Sequence, residues 1–132
     1  MTESKQPPIR GLGNDILEIE RLRKSYEKHG SHFLNKLFSS KEQEYCLKHK
    51  DPIPHLAARF SVKESIAKAF GTGFGAQLSW LDIEISHDAL GKPVASFSEK
   101  IQKNLGNPIV LISISHCKSF VATTAIWLAS SS

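Results

Sequence analysis

Apolar residues along this chain follow two periods, and the change from one to the other outlines the fold. Ile9 to Asp15 reads as a short strand, with Gly11 and Gly13 thinning one face. Glycine within a strand marks the close approach of another backbone or a ligand. From about Glu18 the spacing turns helical: Ile19, Leu22 and Tyr26 recur on one side, while Arg21, Arg23, Lys24 and Lys28 cover the remainder. Gly30 is the expected stop, since glycine relieves left-handed strain at a helix C-terminus. Residues 31–50 read as helical pieces, and Ser39 followed three residues later by Glu42 is a capping-box pattern for Ser40–His49. Asp51-Pro52-Ile53-Pro54 breaks the chain, because proline disfavours helix at its own position and the one before. The clearest helix is HLAARFSVKESIAKAF, residues 55–70, with Leu56, Phe60, Ala67 and Phe70 expected inside; the glycine-rich turn GTGFGAQ ends it.

Beyond that turn the period falls to two. Leu81, Ile83 and Ile85 alternate with Asp82, Glu84 and Ser86, the pattern of a strand with one wet face. A turn over Asp88–Lys92 and the run Pro93–Phe97 complete a hairpin. Ser98–Leu105 reads as a short helix closed by Gly106, and Ile109–Ser115 and Ser119–Leu128 as two strands joined by the loop SHCK. This order predicts an α+β fold: a single compact domain over residues 9–129, mostly antiparallel sheet with helices packed on it. Residues 1–8 form a polar leader outside it.

Composition narrows the class of protein. A length of 132 residues suits one domain, and 40% apolar with 23% charged residues is ordinary for a soluble protein. The net charge of +4 favours acidic partners, namely nucleic acid, an acidic protein or a phosphate-rich small molecule, without choosing among them. A solvated mixed-charge surface accounts for it equally well. Cys46 and Cys117 lie far apart with no CxxC pair, so zinc and thioredoxin-like chemistry have no support and both read as free thiols of a cytoplasmic protein. The N-terminus has no apolar signal-peptide core, and apolar runs such as Val121–Leu128 fall short of the roughly 20 residues that span a bilayer. No membrane insertion is expected.

Several residues carry chemistry on paper. Asp15, at a strand end beside Gly13, suits a metal or a phosphate-bound cation, or else caps the following helix. Glu64 and Lys68 share a helix face, as an ordinary surface pair or as part of a cleft that the small Ala57, Ala58, Ser61 and Ala67 would allow. The GTGFG run resembles phosphate loops in composition only; it lacks GxxxxGK[ST] spacing and follows a helix, which suits a plain C-cap and turn. Ser115, His116 and Lys118 form either a solvated loop or a phosphate site. No GxSxG elbow is present, so a serine hydrolase is unsupported.

Taken together and in order, these segments resemble a known family. GLGNDILEIERLR is similar to the N-terminal signature of the holo-acyl-carrier-protein synthases, which are 4'-phosphopantetheinyl transferases. ARFSVKESIAKAFGTGFG resembles their second signature, and WLDIEI, GKP at 91–93 and ISISHCKSF at 112–120 follow in register. The resemblance covers about residues 9–128; the polar leader departs from it.

The resemblance implies transfer of 4'-phosphopantetheine from coenzyme A to a serine of apo-acyl carrier protein, releasing 3',5'-adenosine bisphosphate in support of fatty acid biosynthesis. It implies magnesium held by Asp15 and Glu64, matching the ion's taste for one or two carboxylates plus substrate oxygens. Lys68 would act near the reacting phosphate, and Glu64 is the first choice of general base. Gly71, Thr72, Gly73, Lys92, Pro93, Ser115 and His116 match segments lining the coenzyme A site, with Arg59 and Lys63 as further phosphate-binding candidates. Arg21, backed by Lys24 and Lys28, would dock the acidic carrier protein. The family implies a homotrimer with sites at subunit interfaces. Two rivals stand beside this reading. A small basic nucleic-acid-binding module is opposed by dispersed Lys/Arg, 8% aromatic residues and no RNP, KH or helix-turn-helix pattern. A magnesium-dependent nucleotide phosphohydrolase would use the same acids.

Overall fold

Pro52 and Pro54 start the central helix earlier than its apolar pattern suggests. Helix α3 runs Ile53–Phe70, with proline in its first turn, where a missing N–H costs nothing. Buried residues occur on every side of it, as expected for a helix enclosed by the rest of the chain. The structure, a computed structural model, describes residues 8–129. Apart from Pro8, the expected leader lies outside the described residues.

Strand β1 (Ile9–Glu18) and helices α1 (Ile19–Leu37) and α2 (Ser40–Leu47) precede α3. After it come a single 3-10 turn (Trp80–Asp82), β2 (Ile83–His87), β3 (Pro93–Phe97), α4 (Glu99–Leu105), β4 (Ile109–His116) and β5 (Phe120–Leu128). The strands form an antiparallel sheet in the order β1-β5-β4 and a separate β2-β3 hairpin, so the chain is α+β with helices packed on antiparallel sheet. Helix α3 lies across β1 and β5. It divides the interior into two apolar clusters. Its first half packs with α1 and α2 around Phe38 and Leu56, and its second half with β2, α4 and the sheet around Ile66 and Ile83.

Gly11 and Gly13 set the fit between β1 and α3. A Cβ added at Gly11 would stand 1.9 Å from the carbonyl oxygen of Ala69, and one at Gly13 would stand 1.9 Å from that of Ser65. Two backbones touch there, and no side chain larger than hydrogen fits.

Further boundaries, and the burial of two phenylalanines, differ from expectation. Strand β1 continues past Asp15 to Glu18 because β5 pairs with it as far as Glu18↔Phe120, so Asp15 caps no helix. Gly30 (φ 59°, ψ −137°) does interrupt α1, yet the chain resumes helix to Leu37 and buries Leu34 and Leu37. The strand expected from Leu81 begins at Ile83, because Asp82 accepts from the backbone N–H and hydroxyl of Ser79 and folds residues 80–82 into a turn. Leu81 is thereby exposed and Asp82 buried, the reverse of the alternation. Phe60 and Phe70, expected inside, are only partly buried.

Candidate active site

Asp15 and Glu64 come from different elements and face one cavity of about 370 Å3, with Arg21 on its rim and Leu22, Phe33 and Phe60 as its apolar wall. Burial raises the Glu64 carboxyl above its ordinary value, and the negative charge of Asp15 raises it further; Lys68 opposes both. Lys68 does not make the ordinary helix pair with Glu64. Its Nζ donates to the carbonyl oxygen of Asn14 at 2.9 Å and to Asp15 Oδ1 at 3.3 Å, and its side chain remains 52% exposed. A second groove, of about 500 Å3, runs past Asp15 and Lys68 to Thr124.

The other oxygen of Asp15 is held by a chain of hydroxyls that the sequence did not announce. Ser61 Oγ donates to Asp15 Oδ2 at 2.9 Å. Having spent its proton there, Ser61 must accept from Thr123 Oγ1 at 2.8 Å, and Thr123 in turn accepts from Ser65 Oγ at 2.7 Å. All three hydroxyl residues are buried, and Ser65 Oγ also donates to the Thr123 carbonyl at 3.2 Å, so its one proton is shared between the two oxygens of Thr123. The small residues of α3 thus serve two ends: close packing on β1 and fixing the Asp15 carboxylate. Ser61 stood out only for its size; Ser65 and Thr123 carried no local signal.

A larger cavity, about 610 Å3, lies between the N-terminal half of α3, the β2-β3 hairpin and β4. Arg59, Pro93 and His116, three of the expected coenzyme A residues, line it together with Tyr45, His55 and His87. Arg59 is 4% exposed. Its Nη1 donates to the His55 carbonyl and its Nη2 to His87 Nδ1, both at 3.4 Å, and its guanidinium lies 4.4 Å over the Tyr45 ring. Arg59 Nε has no hydrogen-bond partner among the described residues. A buried guanidinium only partly satisfied from within suits an anionic ligand. Tyr45, His55 and His87 reach this place from three separate elements, which is why spacing could not flag them.

The remaining expected residues divide. Lys92 and Ser115 each adjoin a lining residue, Pro93 and His116, without lining the cavity themselves. The turn Gly71-Thr72-Gly73 closes α3 at its far end, with both glycines left-handed (φ 80° and 61°). Twelve residues of helix separate it from Arg59, about 18 Å at 1.5 Å per residue. Within one chain that turn does not join the Arg59 cavity; Thr72 lines a different one, of about 340 Å3, beside Phe70 and Leu105. Lys63 corrects an expectation outright. It is wholly buried, with Nζ donating to Glu42 Oε1 and the Leu37 carbonyl at 2.8 Å and to the Trp80 carbonyl at 3.1 Å. It faces α2 and not a phosphate. Arg21, Lys24 and Lys28 are exposed on α1, and Arg21 alone reaches the Asp15–Glu64 cavity.

The donor set suits a hard divalent cation. Two carboxylates converge with no cysteine or histidine beside them, and their mutual repulsion, visible in the raised Glu64, is what a cation between them would relieve. No group of three or more potential ligating side chains exists among the described residues, so further oxygens would have to come from substrate and water.

A sequence model of the 4'-phosphopantetheinyl transferase superfamily matches residues 11–124, and the chain belongs to that family of transferases. It is 50% identical over 117 residues to the holo-[acyl-carrier-protein] synthase of Protochlamydia amoebophila, covering 89% of this chain and 96% of that one. Its fold matches the crystal structure of the Neisseria meningitidis holo-[acyl-carrier-protein] synthase with a TM-score of 0.85 at 31% identity, over 92% of this chain and 99% of that one. It also matches the Bacillus anthracis enzyme, solved in complex with CoA (3',5'-ADP), with a TM-score of 0.80 at 34% identity over 92% and 98% of the two chains. Among the described residues no helix is long and apolar enough to cross a membrane.

Proposed function

We propose that this enzyme transfers 4'-phosphopantetheine from coenzyme A to a serine of apo-acyl carrier protein in a magnesium-dependent reaction that supplies fatty acid biosynthesis in the cytoplasm. The observation that carries this reading is the pairing of Asp15 and Glu64 at one cavity, with Lys68 on Asp15 and Arg21 at the rim. The relatives named above support it by their own activity and ligand.

Asp15 and Glu64 would hold the magnesium, whose bound charge offsets that of the pyrophosphate. The serine oxygen attacks the β-phosphorus, the P–O bond to the nucleotide breaks, and 3',5'-adenosine bisphosphate leaves. Such transfers need positioning and charge neutralisation more than covalent help. Glu64, which faces the cavity beside Asp15, would take the serine proton. Lys68, half exposed and tethered by a 3.3 Å contact to Asp15, can turn its ammonium to the leaving oxygen. Arg59 and His116 would hold the nucleotide end in the larger cavity, beside Pro93 and near Lys92 and Ser115. Lys24 and Lys28 continue the positive charge of Arg21 toward an acidic carrier protein.

A homotrimer belongs to the same proposal. The outer face of the sheet leaves Leu12, Ile16, Leu111 and Phe120 between 42% and 70% exposed, an apolar face that a neighbouring subunit would cover. A neighbouring subunit on that face could also bring its Gly71–Gly73 turn to a shared site. The test is intact mass of apo-acyl carrier protein after incubation with this protein, coenzyme A and magnesium. A gain of about 340 Da that EDTA abolishes supports the reading. No gain with several carrier proteins overturns it, and release of inorganic phosphate from coenzyme A alone would favour a phosphohydrolase.

A further inference from the structure

Four of the chain's six histidines gather at the 610 Å3 cavity: His55, His87 and His116 line it, and His49 stacks on His55 with ring centroids 3.7 Å apart. Tyr45 packs between them, 5.0 Å from His49 and 5.1 Å from His87. No carboxylate lines the cavity among the described residues.

The charges facing the two inner rings are mostly positive. His87 meets Arg59 of α3 and, in opposition, Asp88 of the turn after β2. An adjoining small cavity sets Lys41 of α2 and Glu84 of β2 beside it. His55 feels His49, Arg59 and His116 as like charges and Asp51 as the opposing one. Lys48 stands 4.8 Å over the Tyr45 ring. Burial first, then His49, Arg59 and His116 for His55 and Arg59 for His87, hold both rings below the ordinary histidine value. Hydrogen bonding agrees for His87: Arg59 Nη2 donates to its Nδ1, so that nitrogen carries a lone pair. A protonated His87 would face the guanidinium donor to donor.

A phosphate monoester reverses this balance. It brings about two negative charges and only acceptor oxygens. Both rings then favour the cation, and Arg59 can exchange His87 for phosphate. We propose that His55 and His87 take up a proton when the 3'-phosphate of coenzyme A enters this cavity, making the preference for coenzyme A over its 3'-dephosphorylated form depend on pH. The proposal rests on reading the cavity as the nucleotide end of the coenzyme A site. Its sign follows from the two states: neutral rings in the free cavity and charged rings in the complex mean that affinity strengthens as pH falls and weakens as pH rises.

Calorimetric binding of coenzyme A and of 3'-dephospho-coenzyme A to the whole protein with magnesium, between about pH 8 and about pH 6.5, tests it while the phosphate stays mostly dianionic, its second pKa being about 6. The preference for coenzyme A is expected to rise about thirtyfold over that range, corresponding to net uptake of roughly one proton. In the double variant H55Q/H87Q it should be flat, with a cooperative thermal transition as proof of folding. The single variants H55Q and H87Q should each remove part of the slope, and they replace the double variant if it does not fold. Equal slopes for both ligands, or an undiminished slope in the variants, overturns the proposal while leaving coenzyme A binding in place. A wild-type protein that binds no coenzyme A at any pH overturns the transferase reading along with it.

Discussion

Lys63 and Lys68 stand five residues apart on one helix, and each faces a carboxylate, yet they occupy opposite physical regimes. The Lys63–Glu42 pair is 0% exposed on both sides, and each hydrogen bond of the ammonium goes to a protein oxygen. Glu42 in turn closes the capping box with Ser39 through Oε1 and accepts from the Ile85 N–H at 2.8 Å through Oε2. One ion pair therefore ties the end of α1, the start of α2, α3, the 3-10 turn and β2 together. The Lys68–Asp15 contact is longer, at 3.3 Å, and half open to water. Burial and complete satisfaction make the first pair a fixture of the fold. Openness and slack leave the second free to rearrange around a ligand.

That contrast can be broken most directly at the acids. Asp15→Asn or Glu64→Gln should cut transfer by about a thousandfold, the scale of losing a principal electrostatic group. Melting temperature should stay close to wild type, and loss of folding in either variant would mean that this cavity too is structural. Next comes Lys63→Met, which leaves Glu42 buried without its cation. The expected loss is about 3–5 kcal/mol in urea denaturation, with part regained when Glu42→Gln is added. A Lys63→Met protein of wild-type stability would erase the distinction between the two lysines. Lys68→Ala should lower kcat about a hundredfold. Its effect on stability should stay below about 1 kcal/mol, since half-exposed pairs contribute little. If KM for coenzyme A moved instead of kcat, Lys68 would be a binding residue.

The smallest expected effect concerns a third pair. Burial would raise the Asp82 carboxyl, but bonds from Ser79, Lys100 and Ser98 hold it down to about 2. A carboxyl depressed in the folded state stabilises above its unfolded value, and that contribution fades as pH falls through it. Acid unfolding between about pH 4 and pH 2 should therefore be shallower in Asp82→Asn.

Much of this arrangement was legible because it is local. The Ser39–Glu42 cap, the break at Gly30 and the glycine closing α4 each need only neighbours in sequence, and each is present. Asp15 and Glu64 were named from motif residues that the fold places at a common cavity. What escaped is what depends on distant partners. Nothing near Lys63 tells that Glu42 lies across from it, so a buried lysine read as a phosphate ligand. Asp82 looked like the wet position of a strand because its partners Ser98 and Lys100 sit after the next hairpin. His55 and His87 are 32 positions apart and are brought together by Arg59 and Tyr45.

Strand β1 turns Leu12 and Ile16 outward and Gly11 and Gly13 inward, and this arrangement bears on how the chain reaches its native pairing. A slip of one residue against β5 would bury Leu12 and Ile16 and swing Asp15 to the outside. Once α3 is seated, its carbonyls at Ala69 and Ser65 leave room for glycine alone and the slipped sheet is shut out. The contact that rejects the slipped register is thus the same one that delivers Asp15 to Glu64.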